Sequence, residues 1–354
     1  MNDVAQRAGV HYTTVSLALR NNPRIPDATR KTICALAEEM GYRPDPVLHA
    51  LISYRFQVHG RRPGATIAYI TNGPSRYGWR RSSPDAEYFA GAESAARGFG
   101  FKLEHFWMAE PGLSHSRLSD IIHTRGITGL IVGPNRDEFQ TPLSLEWDKF
   151  SAVKIDNMPC ESNLHRVCSD RNGAVRLAVQ KARASGYSRI GFVMHETWDE
   201  NCEGAWTSGI AAEQWASPHG GEISIHRVTG THQQSAMCEI SCRAFQDWMG
   251  RFKPQIIIGE ADMVKQYIAF WEKKEAAKLP FIDVLLRQAQ PAIAGVIHHF
   301  NRIGEIAVEM LASQMRQSLF GPVKIPTTTL VECTWNPGES MQTPKNLPPL
   351  ECAI

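Results

Sequence analysis

The chain has 354 residues, 43% hydrophobic and 21% charged, with a net charge of +2. That length exceeds one compact core and implies two or three domains of ordinary globular composition. No apolar run reaches the ~18 residues a membrane-spanning helix needs, and Asp3, Gln6 and Arg7 interrupt any signal-peptide core; a cytoplasmic location with no membrane partner is expected.

Two short helices open the chain. Val4, Ala5 and Ala8 lie at helical spacing on one face. Gly9 stands where the chain must turn, a place that tolerates positive φ without steric cost. Val10 plugs the angle between the helices. A second helix from about Tyr12 buries Val15, Ala18 and Leu19, which leaves Tyr12, Thr13, Ser16 and Leu17 facing solvent or a groove. After Asn21-Asn22-Pro23 a third helix is expected from Asp27 to Gly41, with Ile33, Leu36, Ala37 and Met40 as its core stripe. This is the layout of a helix-turn-helix, whose second helix enters a DNA major groove. Charge agrees. Residues 1–62 hold nine Lys/Arg against five Asp/Glu, a surplus of +4 that leaves the rest of the chain at −2. A basic head is the electrostatic footprint of phosphate binding.

Asp3-Val4-Ala5, Ala8-Gly9-Val10, Thr14-Val15-Ser16 and Gly41-Tyr42-Arg43-Pro44 resemble the head of the lactose/galactose repressor family of bacterial transcription regulators. The resemblance implies an α/β protein with an all-α helix-turn-helix head and a two-lobe, periplasmic-binding-protein-like body of parallel doubly wound sheets. It also implies a homodimer on operator DNA and a small effector, a sugar or derivative. It places His11, Tyr12, Thr13, Thr14, Ser16, Leu17 and Arg20 at the DNA, with a hinge helix over 45–51 in which Leu48 and Leu51 meet the minor groove. Leu51 matches the wedging leucine, whose unstacking cost of a few kcal/mol is offset by contacts the bend allows. The family usually has Ser or Thr at the place of His11 and a polar residue or Arg at the place of Leu17. Without the Arg–guanine contact, and with a shortened start, the operator is expected to differ from the common one. The expected divisions are head 1–44, hinge and linker 45–62, body 63–340 and a Pro-rich tail 341–354.

In the body, Ala65–Ile70 reads as a buried strand and Tyr88–Gly98 as a helix. Phe101–Trp107 alternates like a strand, Ser116–Arg125 is helical, Gly129–Val132 is a strand closed by a Gly133-Pro134 turn, and Ser151–Asp156 is a fourth strand. The pattern then restarts: strand His165–Cys168, helix Asn172–Ala184, strand Arg189–Met194, helix Cys202–Trp215, strand Glu222–Val228, helix Cys238–Arg251, strand Gln255–Ile258 and helix Asp262–Lys273. Strand–helix alternation argues for parallel sheets. The resemblance implies that strand Pro291–Val296 and helix Arg302–Gln317 return to the first lobe (63–160, 291–321), and that Thr327–Cys333 returns to the second (161–290, 322–340).

Ligands of such sheets bind beyond the carboxyl ends of strands, and between two lobes they close a cleft. The candidates there are Tyr88, Phe89, Asp170, Trp198, Trp206, Glu260 and Asp262. Tyr88 and Phe89 offer either an aromatic platform or core packing; Asp170 and Asp262 either reach a ligand or cap helices. Trp206 stands where the family commonly has a ligand-gripping Arg, and its face suits a pyranose. The loop Ser75–Arg81 either lines the cleft or meets a partner subunit. The eight cysteines have irregular spacing without C-x-x-C, so free thiols and no metal site are expected. His298-His299 reads as surface or interlobe packing. No phosphate loop, G-x-S-x-G or G-x-G-x-x-G after a strand occurs, so no catalytic residue or cofactor is expected. The alternative is an enzyme or small-molecule-binding protein on the same fold without gene regulation.

Overall fold

The computed structural model describes residues 2–19, 25–41, 65–81, 84–135, 143–156, 162–200, 202–216, 221–228, 239–272 and 279–341. The hinge expectation at 45–62, with Leu48 and Leu51, Arg20 in the head and the tail beyond Met341 lie outside them.

The head is α1 (Asn2–Ala8), α2 (Tyr12–Leu19) and α3 (Asp27–Glu39). Gly9 has φ +64°, and the Val10 amide returns to the Ala5 carbonyl at 3.0 Å, closing α1 where the sequence predicted a turn. Val4, Ala5, Val15, Ala18, Ile33 and Ala37 form one buried cluster, with Val10 and Leu19 packed against it. Alanines at three of these six places let the helix backbones approach closely.

Contacts divide the chain into two units. The first comprises Met1–Asp156, Cys160–Val167 and Asn301–Thr329; the second Asn157–Pro159, Cys168–Phe300 and Leu330–Ile354. In the first, β1 (Thr66–Asn72), β2 (Lys102–Trp107), β3 (Gly129–Asn135), β4 (Ser151–Ile155) and β5 (His165–Ser169) are joined through α4 (Asp85–Gly98) and α5 (His115–Thr124). Their order is β11-β5-β4-β3-β1-β2, where β11 is Thr328–Val331, and β1 to β5 pair in parallel. Strands buried on both faces carry continuous apolar runs rather than alternation, as in the Ile67–Ile70 stretch of β1; β4 is buried throughout although it carries Ser151 and Lys154. β3 runs through Gly133-Pro134 instead of turning there. Its pairing with β1 shifts register between Ile70 and Asn72, and such an irregularity admits a residue without an N–H.

The second unit repeats the plan. β6 (Arg189–His195), β7 (Glu222–Val228), β8 (Ile256–Gly259), β9 (Phe281–Leu286) and β10 (Gly295–Ile297) pair in parallel, and β12 (Thr334–Asn336) joins antiparallel, in the order β12-β10-β9-β8-β6-β7. Its helices are α6 (Arg171–Ala184), α7 (Glu196–Glu200), α8 (Ala205–Ala216), α9 (Glu239–Phe252) and α10 (Ala261–Glu272). The expected return of 291–296 to the first lobe is corrected: Gly295 pairs with Asp283 and Asn336, so this strand stays in the second sheet. The chain passes to the first unit only with α11 (Phe300–Gln317). Likewise 328–331 hydrogen-bonds beside β5 in the first sheet, and the return to the second begins at Leu330. β9 went unread because Asp283 breaks its apolar run.

Helices α4 and α11 meet through two glycines. A Cβ on Gly91 would stand 1.9 Å from the Asn301 carbonyl oxygen, and one on Gly304 2.0 Å from that of Tyr88. Only hydrogen fits at either crossing.

Candidate functional site

On the head, the side of α2 opposite Val15 and Ala18 carries the sequence-predicted set. Tyr12 is 52% exposed, His11 and Thr13 are exposed, and Thr14, Ser16 and Leu17 are half-buried. His11 opens the helix: its carbonyl accepts the Thr14 amide at 2.8 Å, and its Nδ1 lies 3.4 Å from the Thr13 amide and 2.8 Å from the Thr13 hydroxyl. The imidazole therefore works as an N-terminal cap in the place of the usual Ser or Thr and orients the Thr13 hydroxyl. It also lies against the Tyr12 ring, centroids 4.5 Å apart. Of the described head cations, Arg7 pairs with Glu39 at 2.8 Å and Arg30 pairs with Asp27. Such exposed pairs are worth little and are readily exchanged for phosphates.

A doubly wound sheet reverses its strand order once, and the crevice beyond the carboxyl ends at that point receives ligands. In the first unit the reversal lies between β1 and β3. The loop after β1, Gly73–Arg81, folds into an aromatic and cationic shelf. The Trp79 ring lies 4.5 Å from Phe89 and 5.3 Å from His105, and Tyr77 is 5.9 Å from His105. The Arg80 guanidinium sits over Tyr77 at 4.6 Å and Trp79 at 5.3 Å. Trp79 donates its indole N–H to the Arg76 carbonyl at 3.2 Å, which braces the loop internally, and Trp107 donates to Gly73 at 2.8 Å, which ties its start to β2. His105 shares a hydrogen bond of 2.7 Å with the Thr71 hydroxyl. Burial, then the charges of Arg76 and Arg80, lower its pKa to about 4, so the ring is neutral at physiological pH. Of the predicted pair here, Phe89 is half-buried in the shelf. Tyr88 is corrected: it is 2% exposed and packs where α4 meets α11, with no face for a ligand.

In the second unit the reversal lies between β6 and β8, and its carboxyl edge is acidic. Glu260 follows β8, Asp262 stands exposed in the first turn of α10, and Asp283 is buried in β9. Burial, reinforced by Asp283 and Asp262, raises the Glu260 pKa to about 7. Burial raises that of Asp283 to about 6, against the pull of amides donated by Leu285 at 2.9 Å and Ala261 at 3.2 Å. Asp170 caps α6 by accepting the Gly173 amide at 2.8 Å. Trp206 is corrected: at 2% exposed it belongs to the second unit's core and presents no sugar-stacking face. Asp199 holds the start of α8, accepting the Trp206 and Thr207 amides at 3.1 and 3.0 Å. Trp198 lies on α7.

Two features escaped sequence reading. Asp283 hid in the unread strand. His298, read as surface or interlobe packing, is fully buried within the second unit. Its Nε2 donates to the Val284 carbonyl at 2.7 Å, so Nδ1 accepts from the Ser169 hydroxyl and, at 3.5 Å, the Cys333 thiol. Burial lowers its pKa to about 4, and burial pushes the Cys333 thiol up to about 11. The arrangement resembles a nucleophile and base, yet thiol and imidazole are both held neutral, which suits a structural clasp. A groove of about 560 Å³ beside Lys265, Leu279, Phe281 and Ile293 lies toward the amino ends of β9 and β10. Among the described residues no His/Cys/Asp/Glu group suits a metal ion, and no helix is long and apolar enough to cross a membrane.

Residues 1–45 match the family model of bacterial regulatory proteins, lacI family. The chain is 37% identical over 75 residues to the "Probable HTH-type transcriptional repressor ExuR" of Bacillus subtilis (strain 168), 21% of each chain. It is 26% identical over 199 residues to the HTH-type transcriptional repressor CytR of Escherichia coli (strain K12), covering 54% of this chain and 52% of that one. The chain thus spans from a fifth to about half the length of these curated relatives. Among solved structures, a transcriptional regulator CelR–cellobiose complex superposes with TM-score 0.54 at 18% identity, covering 94% of this chain and 96% of that one. The lac repressor dimer bound to operator and the anti-inducer ONPF gives 0.52 at 15%, with the same coverage. At these identities the structures share the fold.

Proposed function

We propose, from the match of residues 1–45 to the family model of lacI-type bacterial regulatory proteins, that this chain is a sequence-specific transcription regulator. In this reading it acts in the cytoplasm as a repressor, binds a pseudo-palindromic operator as a homodimer, and answers to a small carbohydrate-like effector held by the body. The observation that carries it is the exposed side of α2, where Tyr12 and Thr13 project from a helix packed by Val15 and Ala18 into the lacI-type head. Helix-turn-helix proteins lay that side in the major groove, and two-fold dimers read half-sites one helical turn apart. A body of two sheets with ligand-type carboxyl edges, sharing its fold with a regulator solved with cellobiose, supports the effector. Coupling between effector and operator is typically about 1–3 kcal/mol.

Selection from a random duplex library with the full chain tests this. A pseudo-palindrome should be enriched. Thr13→Ala should weaken binding to it about tenfold, in line with the cost of one lost contact. Leu51→Ala should weaken it far more than binding to random DNA. No enriched sequence, or equal losses on selected and random duplexes, would overturn the reading.

A further inference from the structure

We propose that the loop Gly73–Arg81 forms the anion-selective wall of a small-molecule site on the first unit, taking a ring compound that carries a carboxylate, such as a sugar acid. This rests on the reading that the body holds an effector at its strand ends, and it names the chemistry of that effector. The loop follows β1, the strand beside the first sheet's order reversal. Its guanidiniums are not used up by internal pairing. Arg76 lies 3.5 Å from Glu110, but among the described residues Arg80 and Arg81 make no ion pair and both are exposed. The Arg80 guanidinium lies over two aromatic rings, 4.6 Å from the Tyr77 centroid and 5.3 Å from that of Trp79. A guanidinium held against ring faces keeps five N–H donors, enough to fork a carboxylate with two parallel hydrogen bonds.

The rings themselves supply the other half of such a ligand. Tyr77 is 50% exposed, Trp79 is half-buried, and the partly exposed His105 extends the surface without adding charge, because its ring is neutral. A pyranose lays its C–H face on such rings. A neutral sugar uses the rings and leaves Arg80 idle; inorganic phosphate uses Arg80 and leaves the rings idle. A cyclic sugar acid uses both.

Matched pairs that differ only at one carbon test this: D-galacturonate against D-galactose and D-glucuronate against D-glucose, titrated calorimetrically into the full chain, with inorganic phosphate as a competitor. One acid should bind at least about tenfold tighter than its neutral partner, as expected of a charge-assisted contact, and phosphate should not displace it. Arg80→Gln should remove that preference while leaving the melting temperature unchanged. Trp79→Phe should reduce the quenching of tryptophan fluorescence by the acid. Equal affinity for acid and neutral sugar overturns the proposal but leaves an effector site standing. Acid binding untouched by Arg80→Gln, or displaced by phosphate alone, overturns it as well. Failure of both acids to bind also overturns it, and an operator affinity that responds to another compound would then keep the effector reading alive.

Discussion

The two sheets share one strand order and carry opposite chemistry at the same edge. In the first unit the carboxyl side of the sheet bears Arg76, Arg80 and Arg81 among aromatic rings; in the second it bears Glu260, Asp262 and Asp283. Both sheets place their second strand outside the first and their third on the other side, so both open a crevice at the corresponding place. The scaffold therefore sets where a ligand can sit, and the loops set what it can be. The first edge answers an anion, while the second offers carboxylates that accept hydrogen bonds when ionised and donate when protonated.

The comparison breaks most severely if the first sheet loses its packing. Gly304→Ala drives a methyl into the Tyr88 carbonyl, a backbone collision that cannot be relieved by rotating a side chain. A loss of about 4 kcal/mol or more is expected, seen in calorimetry as an early transition from the first unit with the second unit's transition kept. Equal loss in both units would show that they do not fold as separate bodies. His298→Ala should be next, at about 2–4 kcal/mol, because it leaves a cavity and strips partners from Ser169 and Val284 inside the second unit. Its pH signature is specific. With the folded pKa depressed to about 4, the wild-type contribution is present above pH ~6.5 and is lost as pH falls toward 4. The alanine variant should lack that acid-side decline.

Glu260→Gln sharpens the contrast from the other direction. A carboxyl whose folded pKa is raised to about 7 costs nothing below its unfolded value of about 4.5 and loses stability as pH rises through 7. The variant should melt a few degrees higher than wild type at pH 8, on the order of 1 kcal/mol, and at the same temperature as wild type at pH 4. A uniform difference across pH would remove the strained carboxylate from the account. Asp170→Ala, which deletes the α6 cap, should cost the least, about 1 kcal/mol, measured by denaturant unfolding.

Much of this was legible in the sequence. The head could be read because a glycine turn and apolar spacing are local signals: Gly9 takes φ +64° and Val15, Ala18, Ile33 and Ala37 are buried as spaced. Most strands of the body showed as apolar runs. The crossings between units did not show, because whether Gly295–Ile297 pairs with β9 or returns to the first sheet depends on contacts distant in sequence. For the same reason the shelf was legible only as composition. That Arg80 stacks on Tyr77 and Trp79, while Trp206 is sealed in a core, is decided by packing partners that periodicity cannot name.

The most direct measurement of the central claim is an anisotropy titration of the full chain onto the selected pseudo-palindrome and onto its scrambled duplex, at several salt concentrations. The account predicts a preference on the order of a thousandfold or more, with affinity for both duplexes falling as salt rises. Equal affinity for the two duplexes at every salt concentration would contradict it.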